Sequence, residues 1–201
     1  MSTRAPEVLE IPLFPLGTIL FPDGVLPLKL FEARYLDMAA RCMRTESPFG
    51  VCLIQEGGEV GQPATPHALG TLANIVHWDM NQPGLLFLTT RGGARFRVLE
   101  RRIEADRLQT ARVELLPEPP VVPIPPALAG LPALARAIVE DAGEELFPPP
   151  HRFEDPTWVG YRLAEVLPIP NRARQRLLEL DDTLSRLEII LQYLRQHRLL
   201  D

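Results

Sequence analysis

In Leu26-Pro27-Leu28-Lys29-Leu30-Phe31-Glu32-Ala33-Arg34-Tyr35 the hydrophobic period changes. Val25 to Leu30 predicts a short extended piece. From Phe31 to Arg44 apolar residues recur at helical spacing. Phe31, Tyr35, Met38, Ala39 and Cys42 fall on one face, with Glu32, Asp37, Arg41 and Arg44 away from it. This predicts an amphipathic helix of about thirteen residues packed on a sheet. Ser47-Pro48 closes it, because the residue before proline avoids helical torsions.

Upstream, Val8 to Phe14 and Thr18 to Phe21 predict short strands, broken by Pro15-Leu16-Gly17 and Pro22-Asp23-Gly24. Downstream, Phe49 to Gln55 predicts a buried strand, and Glu56 to Ala68 a Gly- and Pro-rich loop. Thr71 to Met80 predicts a strand with Leu72, Asn74, Val76 and Trp78 on one face. A turn at Asn81-Gln82-Pro83-Gly84 returns it through Leu85 to Thr90 as a hairpin. Ala94 to Glu104 and Gln109 to Leu115 complete the set.

Six of the eleven residues from Leu116 to Pro126 are proline, which predicts a semi-rigid extended spacer. Beyond it the period is helical. Leu128, Leu131, Ala135, Ile138 and Ala142 share one face. Asp155-Pro156 starts a second helix, Asn171 a third and Asp182 a fourth. In the last, Leu184, Leu187, Leu191 and Leu194 form a stripe of under two heptads, which favours a contact within the chain over a coiled coil. The expected class is α+β. A β-rich partly closed barrel or folded sheet with one packed helix occupies residues 1–116. A linker follows at 117–126, then a helical bundle at 127–201.

Composition narrows the chemistry. The net charge is −5, against nucleic acid as a partner. Lys29 is the only lysine and follows no glycine-rich turn, so no phosphate-cradling loop is present. Ser2, Ser47 and Ser185 are the only serines, and none lies in a nucleophile elbow. Cys42 and Cys52 sit in apolar surroundings and read as buried thiols. His67, His77, His151 and His197 lack metal-ligand spacing, so neither a metal nor a cofactor is expected. The N-terminus has no secretory pattern and no apolar run spans a membrane, so the expected location is cytoplasmic, with no membrane partner.

Several segments in order resemble the N-terminal substrate-binding domain of Lon protease. They are Ile11-Pro12-Leu13-Phe14-Pro15-Leu16, Leu20-Phe21-Pro22, and Leu26 through Tyr35. Gly70-Thr71 with Ile75, Gly93-Ala94-Arg95-Phe96-Arg97, Leu167-Pro168-Ile169 and Arg174-Gln175-Arg176-Leu177-Leu178-Glu179 continue the series. The chain departs from the family pattern in three turns. Asp23 stands where a glycine is usual, Ala33 replaces a proline, and Gln82-Pro83-Gly84 replaces P-D-G. A complete Lon protease continues into an ATPase and a serine–lysine protease. The resemblance therefore implies a stand-alone recognition module for unfolded or extended polypeptide, with a protease or a chaperone as candidate partner. A different class is a small-molecule-binding protein or hydrolase using a cleft between the two halves. The oligomeric state is not specified by the sequence.

The candidate peptide-binding residues are Phe31, Glu32, Arg34, Tyr35, Trp78 and Phe87. Arg34 suits a peptide carboxylate, with Tyr35 as an amphipathic neighbour. The structural alternative is that these residues only tie the helix to nearby strands. Two apart on a helix, Glu32 and Arg34 are not expected to face each other. Trp78 and Phe87 straddle the hairpin as a candidate exposed apolar patch.

Overall fold

The computed structural model describes residues 6–199. The chain divides into two compact units, Met1–Pro117 and Glu118–Asp201. The first holds seven strands and one helix: β1 (Val8–Leu16), β2 (Val25–Leu30), α1 (Ala33–Thr45), β3 (Phe49–Glu56), β4 (Thr65–Pro66), β5 (Leu69–Gln82), β6 (Leu85–Ile103) and β7 (Gln109–Leu115).

The strands pair in the order β1-β7-β6-β5-β3-β4, and a parallel β1–β3 pairing folds the sheet back on itself. In this folded sheet β2 branches off at β6 and β4 at β3. Beta strand β6 is nineteen residues long and serves three partners. Its first half pairs with β2 (Leu28 opposite Leu88), its second with β7 (Val98 opposite Val113), and β5 runs along its other side.

Two apolar clusters explain the unalternating strands. Phe14, Val51 and Ala73 face the cluster that α1 covers with Tyr35, Met38, Ala39 and Cys42. Their neighbours Leu13, Cys52 and Leu72 point into a second cluster with Ile11, Phe96 and Val113. Strands buried on both faces read as apolar runs.

Thr18 to Phe21, expected as a strand, is a loop. Leu20 and Phe21 are apolar because they are buried there, not because they pair. The turn after them docks on β6. The Asp23 N–H donates to the Gly92 carbonyl at 2.9 Å, and the Gly92 N–H to the Gly24 carbonyl at 2.8 Å. Asp23 has φ 61°, a left-handed conformation that aspartate tolerates better than most residues. This accounts for an aspartate where glycine is usual.

Helix α1 begins two residues later than its periodicity suggested. Glu32 is its N-cap, with extended torsions (φ −79°, ψ 133°). Phe31 therefore lies outside the helix, 56% exposed, and is not on its buried face. The helix ends on Glu46 in the left-handed conformation.

The second unit carries a 3-10 turn (Pro126–Leu128) and four helices: α2 (Gly130–Ala142), α3 (Pro156–Val166), α4 (Asn171–Glu179) and α5 (Thr183–Gln196). Asp155 caps α3 by accepting from the Thr157 N–H at 2.8 Å, and Asp182 caps α5 by accepting from Ser185 at 2.6 Å. Asn171 is the first residue of α4, whose N-cap is Pro170. Helix α2 buries Leu131, Ala135 and Val139, while Ala142 is exposed. Helix α3 packs against α2, α4 and α5.

Candidate functional site

Among the described residues, strand β2 pairs on one side only, with β6. Against its other side lies a cleft of about 300 Å³. Every residue from Leu26 to Phe31 lines it, although side chains of a strand alternate between faces. A cleft meets consecutive residues in this way only by running along the strand's edge. Phe14, Tyr35 and Val60 form much of the opposite wall.

The start of α1 is held firmly. The Arg34 guanidinium meets the Glu32 carboxylate at 2.8 Å, donates to the Arg107 carbonyl at 3.1 Å and lies 4.7 Å over the Tyr35 ring. The pairing with Glu32, not expected of two helical residues at this spacing, follows from the N-cap position of Glu32. Arg34 is 7% exposed and is not part of the cleft lining. It anchors the helix to the β6–β7 turn, in which Arg107 has φ 68°. The Tyr35 ring packs against Phe14, tilted by 45° with centroids 4.2 Å apart. Burial raises the Tyr35 phenol above its ordinary pKa; Arg34 draws it down, and Glu32 and Glu59 push it up.

Phe31, Glu32 and Tyr35 thus come together at the cleft. Trp78 and Phe87 do not join them. Trp78 sits opposite Leu88 and Phe87 opposite Asp79, so adjacent ladder positions put the two aromatics on opposite faces of the hairpin. Both are exposed, at 55% and 40%, but they do not form one patch. The expected single face of Leu72, Asn74, Val76 and Trp78 is broken by irregular register between Thr71 and Ala73 and between Ile75 and His77.

Glu59 and Val60 were not foreseen as cleft residues. Glu59 accepts the Gly17 N–H at 2.6 Å, and this holds the glycine-rich loop beside the cleft. The sequence signal was a single valine among Gly57, Gly58, Glu59 and Gly61, where a solvated loop has no need of one.

The thiols are poorly placed for chemistry. Burial raises Cys42, against the lowering influence of Ser47 and Arg41, and pushes Cys52 up to about 12. At pH 8 the thiolate of Cys52 is then a fraction of roughly 10⁻⁴. Neither cysteine is expected to react with an aromatic disulfide reagent at pH 8 until denaturant is added. Rapid release of the chromophore from native protein would contradict this. Among the described residues, no group of three or more His, Cys, Asp or Glu is placed to hold a metal ion. No described helix is long and apolar enough to cross a membrane.

Comparison with known proteins bears on this geometry. Residues 10–196 match the model of the ATP-dependent protease La (LON) substrate-binding domain. The chain is 28% identical to a Lon protease of Anaeromyxobacter dehalogenans (strain 2CP-C), over 94% of its own length and 23% of that protein. It is 27% identical to protein cereblon of Danio rerio, over 89% of its own length and 45% of that protein. It thus spans less than half of these curated relatives. The crystal structure of a Lon N-terminal domain protein from Xanthomonas campestris superposes with a TM-score of 0.77 at 34% identity, covering 92% of this chain and 98% of that one.

Proposed function

The chain belongs to the LON substrate-binding domain family, and on that premise we propose that it recognises extended or unfolded polypeptide segments at the cleft beside β2, without catalysis of its own. One observation carries the reading: Phe31, more than half exposed, lines an apolar cleft that runs along the open edge of β2. An aromatic held in water beside a concave apolar surface is typical of a residue that a partner covers. Arg34 acts as a positioning residue for Glu32 and Tyr35. Trp78 and Phe87 offer further apolar contact on separate faces of the hairpin. Residues 117–126 serve as a linker to a helical bundle, and a protease or a chaperone is the partner to which captured segments pass.

The placing of the lysine and the thiols supports the non-catalytic reading. Lys29 lies in an edge strand with its ammonium 5.9 Å from the Phe87 ring, not over a glycine-rich turn. The buried thiols are held in the neutral form.

The test is titration of the 201-residue chain with a reduced, unfolded model polypeptide, followed by fluorescence anisotropy of a label on that polypeptide. A transient contact should bury less than ~1,200 Å² and be correspondingly weak. Phe31→Ala is expected to weaken binding about tenfold, the cost of one central aromatic anchor. Its melting should be almost unchanged, because an exposed side chain contributes within about 0.5 kcal/mol. Raising salt to about 0.5 M should change the affinity little, since the contact is apolar. Absence of binding, or full binding by Phe31→Ala, refutes the reading.

A further inference from the structure

Strand β2 has six residues and therefore an edge of roughly 20 Å along which one side of the backbone meets no partner strand. Pro27 lies within it, opposite Thr89 of β6. A proline has no N–H to give a ladder, so within a strand it sits with its nitrogen toward the open edge. Val25 and Lys29 share its phase. Their N–H and C=O groups, with the carbonyl of Pro27, therefore face the cleft side. Along the cleft this leaves the Lys29 N–H as donor and the Pro27 and Lys29 carbonyls as acceptors, with Val25 just beyond it, beside an apolar wall.

Its charges are unbalanced in one place. Glu32 is neutralised by Arg34, and Lys29 lies near the Phe87 ring. Glu59 accepts the Gly17 N–H, and among the described residues no cationic side chain pairs with it. An incoming cationic side chain is the complement.

We propose that the open edge of β2 takes the backbone of an extended polypeptide segment as an added strand, with alternate apolar side chains toward Phe14, Phe31 and Val60 and a basic residue against Glu59. This rests on the polypeptide-recognition reading and specifies its geometry. Main-chain hydrogen bonds supply affinity for any extended sequence, and the alternate pockets select for apolar residues. The occupant cannot be helical, because a helix has already spent its backbone groups.

The main comparison leaves the protein unaltered and varies the peptide. A labelled ten-residue peptide of alternating valine and threonine with one arginine is titrated against the 201-residue chain. Two versions carry N-methyl groups on alternate residues, one set on the odd positions and one on the even. Only one side of an extended backbone meets the edge, and a slip by one residue turns the valines outward. One N-methylated set should therefore lose binding by about tenfold or more, while the other keeps it. Equal binding by both sets, or equal loss, overturns strand addition. If the parent peptide binds, Phe31→Ala weakens it, and neither set differs from the parent, strand addition fails while recognition at the cleft stands. If neither the parent peptide nor the unfolded chain binds, recognition itself fails. Replacing the peptide's arginine by glutamate should weaken binding a few-fold to the native chain and not at all to Glu59→Gln. An equal effect on both proteins overturns the placing of the basic residue.

Discussion

Gly92→Ala is expected to cost the β-rich unit about 3 kcal/mol or more, a larger loss than any single exposed residue can cause. A Cβ at Gly92 would stand 2.0 Å from the Phe21 carbonyl oxygen and 3.0 Å from its carbon. Both are backbone atoms of a loop whose side chains Leu20 and Phe21 are buried, so the loop has nowhere to retreat. Moving it also breaks the reciprocal bonds of Gly92 with Asp23 and Gly24. Gly93→Ala is the internal control. Its Cβ would meet the Asn74 side-chain nitrogen at 2.9 Å, the free end of a side chain that is itself exposed. That neighbour rotates aside, and the expected cost is under about 1 kcal/mol. Urea unfolding of both variants, read by far-ultraviolet circular dichroism, decides it. Equal midpoints for the two would mean that the Phe21–Gly24 turn does not rest on β6 as described.

The same pair of segments shows what a sequence discloses. Phe21-Pro22-Asp23-Gly24 and Gly92-Gly93 are each visible as breaks, but their contact is not, because it joins positions about seventy residues apart through backbone atoms. The turn in period at Leu30-Phe31 was legible, and with it β2 and α1. The exact cap was not. An extended Glu32 is compatible with the same apolar spacing, and it moves Phe31 from the core to the cleft. The strand set was largely visible in β1, β2, β3 and the hairpin. The pairing of one nineteen-residue strand with three partners was not: Gly92-Gly93 falls between Arg91, the last residue paired with β2, and Phe96, the first paired with β7, and reads as a break in a strand rather than a change of partner. Of the candidate site, Phe31, Glu32 and Tyr35 were legible through an ordered motif. Glu59 and Val60 enter through a hydrogen bond to Gly17, forty-two residues away, which leaves no local trace. The open edge itself had one local sign, Pro27 inside the strand from Val25 to Leu30.

Arg186→Met is expected to lower the melting of the helical unit by about 10 °C or more, equivalent to about 3 kcal/mol for a unit of this size. In sequence Arg186 passes for a surface arginine between Leu184 and Leu187. In the structure it is 0% exposed. Helix α4 ends at Glu179, and the last carbonyls of any helix lack partners within it. Arg186 supplies them from α5. Its Nε donates to the Leu177 carbonyl at 2.9 Å, and Nη2 donates to the Leu180 carbonyl. The guanidinium lies 4.3 Å over the Tyr161 ring, and a Cβ at Gly160 would come within 3.0 Å of its stem. Asp182, one turn earlier, is held below the usual carboxylate range chiefly by the Ser185 N–H, with Arg186 adding to it. Methionine fills comparable space without strain, so the loss measured is that of the guanidinium's hydrogen bonds, including the one to the carbonyl of buried Leu177. Arg186→Lys should recover only part of it. An ammonium cannot reach two carbonyls while stacking on a ring, and its stem ends short of the guanidinium's fork. In a Trp78→Phe background, thermal melts followed by the fluorescence of buried Trp158 report on this unit directly. A methionine variant that melts with the parent would show that the α4 carbonyls do not depend on Arg186, and that the arginine is dispensable to the way α5 holds α4.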